Sequence, residues 1–128
     1  MSWYRGAIGF FALWCVPYKR VRDYEWVADG FFDFDDELFV DLAIYGMKVP
    51  AHTNYHRMVE EKLKELRGIK TLIAHNFYER DEFWTVFNKP NYDAVKAITD
   101  PNNRFRNLYD KTCRTMMGLK SEGELGGP

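Results

Sequence analysis

The clearest periodic stretch of the chain is LFVDLAIY, residues 38–45. Its Leu38, Val40, Leu42 and Ile44 fall on one face of an extended backbone, and Phe39, Asp41, Ala43 and Tyr45 fall on the other. The pattern predicts a strand, ended by Gly46 and Pro50. The period then changes. Tyr55, Met58, Val59, Leu63 and Leu66 recur at spacings of three and four, which predicts a helix over about 53–67 lying on a sheet, with Glu60 and Lys64 on its wet face and Gly68 as its stop. Residues 69–77 return to a strand pattern, so that strand, helix and strand make a βαβ unit. Upstream, the apolar residues 7–16 predict a buried strand, covered on both faces and closed by Pro17. Downstream, Asp81 is placed as the cap of a short helix to Phe87 and Asn91 as the cap of another to about Thr99. Residues 100–103 form a turn, and a last helix runs over about 107–117 to Gly118.

This order of elements indicates an α+β domain. The expectation for residues 1–120 is an antiparallel or mixed β-sheet covered by helices, with a ferredoxin-like βαβ unit, followed within the same span by short C-terminal helices. Residues 121–128 (SEGELGGP) form a tail with too little apolar content to fold. The apolar run 6–16 behind Arg5 is too short to span a bilayer, and no small-residue cleavage site follows it.

Composition changes this picture in one respect. Aromatic residues make up 17% of the chain, with ten Phe, eight Tyr and four Trp. Each buried ring removes a large area from water, so the surplus fits a dense core. It fits equally a lobe that exposes rings which face a partner domain. The net charge of −1 excludes the strongly basic surface that nucleic-acid binding requires. Cys15 and Cys113 lie far apart and outside any metal-binding spacing, as expected of reduced thiols in a cytoplasmic or cytosol-facing protein.

Several chemical classes lack their motifs. The chain has no Gly-rich phosphate loop, no GxSxG and no HExxH, and the acid-rich 29–37 does not follow the EF-hand order of ligands. His52 and His56 are four apart, a spacing that can place two imidazoles on one metal, but no third ligand accompanies them and no metal is expected. Asp41 interrupts an apolar strand and needs a cationic partner or a polar ligand. His75 shares a strand face with Ile73 and Phe77, and Tyr45 and Tyr78 sit at strand ends as phenolic donors.

Five blocks occur in an informative order: LWCVP at 13–17, LFVDLAIYG at 38–46, ERDEFW at 79–84, NKPNY at 88–92 with TDPNNRF at 99–105, and YDKTC at 109–113. The blocks at 13–17, 38–46, 79–84 and 109–113 resemble the C-terminal part of the delta(24)-sterol reductases, FAD-linked oxidoreductases of the vanillyl-alcohol-oxidase type, over most of residues 10–115, and the block at 88–92 with 99–105 resembles the ending common to the wider FAD-linked oxidase group. The resemblance implies a cap or substrate lobe whose partner is an N-terminal FAD-binding domain. It further implies NADPH as the electron donor, hydride transfer from flavin to a C=C bond of an apolar, sterol-like substrate, and a general acid for the second carbon. On this reading Tyr45, His75 and Tyr78 are the candidates for acid or substrate contact, and Asn91 and Tyr92 lie near the flavin edge. The fragment alone is expected to be inactive. The alternative is a free-standing α+β binding module for an apolar ligand or a protein partner.

Overall fold

The computed structural model describes residues 2–9, 13–19, 26–31, 38–46, 48 and 50–119. The predicted tail at 121–128 and most of the acid-rich loop lie outside these residues. The chain divides into two compact units: residues 1–23 with 34–55, and residues 24–33 with 56–128. The class is α+β, as expected, with a two-stranded antiparallel sheet and several helices.

The first unit holds helix α1 (Ser2–Ala7) and strands β1 (Leu13–Lys19) and β2 (Leu38–Ile44). The strands pair antiparallel with Leu13 opposite Ile44, Cys15 opposite Leu42 and Pro17 opposite Val40. The period-two pattern of β2 therefore holds to within one residue. The strand expected at 7–16 begins six residues later, because Ala7 closes α1. Pro17 does not stop β1. In a two-stranded sheet both strands are edges, and an edge strand tolerates a residue with no N–H to give.

The sheet is not covered on both faces. Opposed residues share a face, so Cys15, Pro17, Leu38, Val40 and Leu42 form one continuous apolar surface; Leu38 is 68% and Val40 55% exposed. Trp14 on the other face is 61% exposed, and its ring tilts against that of Tyr45 at 6.3 Å. Asp41 is exposed, which removes the need for a buried partner.

The second unit holds α2 (Tyr55–Glu65) from His56 onward, α3 (Arg80–Val86), α4 (Lys89–Thr99) and a π-helix (Asp110–Arg114). Helix α2 ends with Arg67 in the left-handed region at φ 55°, while Gly68 N–H reaches back to Leu63 O at 2.7 Å. This is a Schellman closure. A Cβ at Gly68 would stand 2.8 Å from Leu63 Cδ2, so a larger residue there would have to turn that side chain aside.

Residues 69–77 are not a strand, and no βαβ unit forms among the described residues. The polar groups of this segment are met by side chains. Phe77 N–H donates to Glu60 Oε1 at 2.9 Å, and Asn76 Nδ2 donates to the carbonyls of Leu72 and Ala74 at 3.1 and 2.7 Å. Satisfied in this way, the backbone needs no partner strand.

Two cap positions also move. Glu79 caps α3 in place of Asp81, its N–H donating to the Glu82 carboxylate at 3.2 Å. Asn88 caps α4 in place of Asn91, its Oδ1 accepting from Asn91 N–H at 3.0 Å, with Pro90 inside the first turn. The last helix is shorter than expected. A helical turn at 108–109 widens into the π-helix, where Thr115 N–H reaches Asp110 O at 3.1 Å.

The core of this unit is aromatic. Phe83 is fully buried among Tyr78, Val86, Phe87, Tyr109 and Cys113, with Ile69, Leu72, Trp84 and Leu108 packed around them. Ring centroids lie 4.5 Å apart for Phe83–Phe87 and 5.5 Å for Phe83–Tyr109. Phe83→Ala is expected to cost about 3–5 kcal/mol, read from urea unfolding; an unchanged midpoint contradicts this core. Burial also pushes the Cys113 thiol up to about 11, whereas Cys15 is exposed. Ellman's reagent should therefore titrate one thiol rapidly in the native protein and the second only after unfolding.

Candidate functional site

The second unit carries a groove of about 500 Å³ beside α3 and α4. Arg80, Trp84, Lys89, Tyr92, Lys96 and Asn107 are among its lining residues. Trp84 comes from α3 and Tyr92 from the first turn of α4; their rings tilt together at 5.4 Å. Tyr92 is fixed by its phenol oxygen, which accepts the Leu108 N–H at 2.9 Å. The three cations are held by carboxylates: Arg80 by Asp110 at 3.2 Å, Lys89 by Asp93, and Lys96 by Asp100 at 2.5 Å. The Lys96 ammonium holds the Asp100 carboxyl below its ordinary range. The groove thus presents an aromatic wall and a charge-balanced polar rim.

The second unit also holds a buried polar cluster that periodicity misassigned. Glu60 is expected on the wet face of α2, yet it is 0% exposed. Its Oε1 accepts from Lys70 Nζ at 2.7 Å as well as from Phe77 N–H, and Arg57 Nη1 lies 3.5 Å from its Oε2. Lys70 also donates to the His75 carbonyl. Burial lowers the Lys70 pKa, and the Glu60 carboxylate opposes that shift. Arg57 continues the network to Glu82 at 2.7 Å and to Phe77 O at 3.2 Å, tying α2, the 68–79 segment and α3 together. The signal available in sequence was weak: an acid four residues from a lysine reads as a surface pair, and Lys64 in fact reaches Glu82 at 3.5 Å.

The residues singled out from sequence are dispersed. Tyr45 belongs to the first unit and is 61% exposed. Tyr78 lies in the aromatic core, where burial above all, with the nearby Glu60, pushes its phenol pKa far up, so it keeps its proton. His75 is exposed and faces His56, with centroids 4.8 Å apart. Asn91 sits on α4 with its N–H taken by Asn88, and Tyr92 alone of the five lines the groove. Among the described residues no group of three or more His, Cys, Asp or Glu is placed to hold a metal ion. No helix there is long and apolar enough to cross a membrane.

The described residues do not fit a dinucleotide cradle. A pyrophosphate is held by free N–H groups at a helix start or a Gly-rich turn. The start of α4 offers a proline and an amide already given to Asn88, and the groove cations already hold carboxylates.

No family model matches the chain, and no solved structure matches it. The chain is similar to the delta(24)-sterol reductase of Rattus norvegicus, 28% identical over 81 residues, which is 61% of this chain and 16% of that protein. The human delta(24)-sterol reductase is 27% identical over 81 residues with the same shares. A weaker match, 25% identical over 65 residues, is to subunit 6 of the Mediator of RNA polymerase II transcription from Scheffersomyces stipitis, covering 51% of this chain and 24% of that protein. These likenesses support a relation to the sterol reductases, of whose length the chain spans about a sixth, 16%.

The Glu60–Lys70 pair yields a sharp test. Glu60→Ala leaves the Lys70 ammonium buried beside an emptied site and is expected to cost about 3–5 kcal/mol. The double variant Glu60→Leu/Lys70→Met removes both charges and should unfold closer to wild type than Glu60→Ala in urea titrations. A double variant weaker than the single would show that the pair itself is the source of stability.

Proposed function

We propose that the chain is the C-terminal, substrate-side part of an FAD-dependent oxidoreductase similar to the delta(24)-sterol reductases. The reaction class is reduction of a C=C bond in an apolar, sterol-like substrate by hydride from flavin, with NADPH as the electron donor. The observation that carries the reading is the 81-residue likeness to those enzymes. The exposed apolar ribbon of β1 and β2 agrees with it, because an isolated two-stranded sheet is marginal in water and gains stability by packing on another body.

The FAD-binding partner domain supplies the cofactor grip, which the start of α4 and the groove among the described residues do not offer. In the first unit Val40 and Leu42 contribute apolar cover and Tyr45 a polar contact; in the second His75 is exposed to a ligand, whereas Tyr78 is shut in the aromatic core. Asn91 and Tyr92 border the flavin edge. The fragment by itself is inactive, and its compartment is cytoplasmic or the cytosol-facing side of a membrane.

The closed aromatic core of the second unit favours a second reading, a free-standing α+β module that binds an apolar ligand or a protein. One experiment separates the two. The purified chain should be colourless and should neither retain added FAD nor turn over substrate. When co-expressed with the flavin-binding region of a sterol reductase, it should co-purify as a yellow complex with a visible flavin band. A yellow isolated chain with stoichiometric flavin overturns the proposed partner dependence. A colourless chain that ignores the flavin domain and binds an apolar probe supports the second reading.

A further inference from the structure

His56 and His75 face each other where the irregular 68–79 segment crosses the first turn of α2. Their ring centroids are 4.8 Å apart with planes inclined at 40°, and Phe77 stacks against His56 at 6.1 Å. Two neutral imidazoles pack well at that separation. Two imidazolium ions at that separation repel each other. Lys70 of the 68–79 segment acts on His56 as a like charge and favours its neutral form. The ionisable groups on the neighbouring positions of these elements are Arg57, Glu60 and Glu61 of α2 and Glu82 of α3. Glu60 and Glu82 are engaged with Lys70 and Arg57, and Glu61 with Arg57, so none is left to receive a second positive imidazole.

We propose that the His56–His75 contact is an acid-released latch, which holds residues 69–77 against α2 when both rings are neutral and lets them go when both are charged. The segment is suited to such release. It has no strand partner among the described residues, and its inward hold includes the Lys70 and Phe77 links to Glu60, the Arg57 hydrogen bond to Phe77 O, and Ile69 and Leu72 on the aromatic core. Opening it uncovers one side of that core while leaving α4 intact, so the device exposes apolar surface in acid without global unfolding. Burial, Lys70 and His75 all lower the His56 pKa, in agreement with the geometry. A folded-state pKa below the unfolded one means that the unfolded chain takes up the proton more readily. The stability it contributes is therefore intact above about pH 6.5 and is lost as pH falls through the lowered value. Burial pulls Glu82 the other way, but Arg57 outweighs it and holds the carboxyl below its ordinary range, so Glu82 stays ionised while His56 titrates.

The latch is tested by amide hydrogen exchange on the full chain at about pH 7.5 and about pH 5.5, either side of the ordinary imidazole value, with rates corrected for intrinsic pH dependence. In the wild type, the amides of 69–77, Phe77 above all, should lose protection several-fold in acid while those of α4 do not. His75→Gln and His56→Gln should keep the neutral-pH protection and lose most of its acid sensitivity, and the His56 ring in His75→Gln should titrate at a higher pH. An unaltered acid loss in both variants overturns the latch, as does a wild-type segment indifferent to pH. Equal loss in α4 overturns it too, because that is global unfolding. Should either variant prove unfolded, the ring-proton titrations of the wild type decide: independent, non-interacting curves for His56 and His75 overturn the proposal.

Discussion

A buried carboxylate organises the larger unit. Glu60 is shut off from water, and an ionised acid is tolerated there because Lys70 and the Phe77 amide both donate to it. Those two donors lie in a stretch with no regular backbone pairing, so the same interaction that neutralises the acid fixes the path of the chain between α2 and α3. Arg57 extends the arrangement to Glu82, which in turn closes the start of α3. The same helix supplies the aromatic core, with Phe83 at its centre and Tyr78 and Tyr109 against it. Removing the carboxylate would thus disturb the loop, the helix start and the core entry together.

The two units are built on different physics. The second closes on itself around interlocked rings, with Glu60 paired to Lys70. The first is a ribbon of two strands whose alternating residues leave apolar side chains in water on both faces. A sheet of this kind is a half-finished layer in energetic terms, since the area that would stabilise it has not been removed from solvent. That imbalance agrees with a chain that is similar to about a sixth of a much larger enzyme.

Much of the fold was legible from local pattern. The β2 strand, the α2 helix, the turn at 100–103 and the existence of helices α3 and α4 follow from period, turn residues and stops. The errors share one cause. Residues 69–77 carry strand-like composition, yet Asn76 and Glu60 satisfy their backbone in place of a neighbouring strand. Glu60 falls on the polar side by periodicity, yet a lysine ten residues ahead makes its burial tolerable. Asp81 and Asn91 are good capping residues, but each sits inside its helix, with Glu79 and Asn88 at the true starts. The candidate residues fared by the same logic. Tyr92 borders a groove because α4 turns it toward Trp84, while the sequence neighbours His75 and Tyr78 part company, one to solvent and one to the core.

Local chemistry along the chain determined the α+β class, the paired faces of β2, the amphipathic run of α2 and the scarcity of cofactor-gripping motifs, because each depends on residues within a few positions of one another. Only the tertiary structure decided that Glu60 is buried, that His56 meets His75, that the stretch before α3 is not a strand and that the ribbon stays bare. Each of these depends on which distant group arrives to pair a charge, accept an amide or cover a side chain, and a pattern of neighbours carries no record of that.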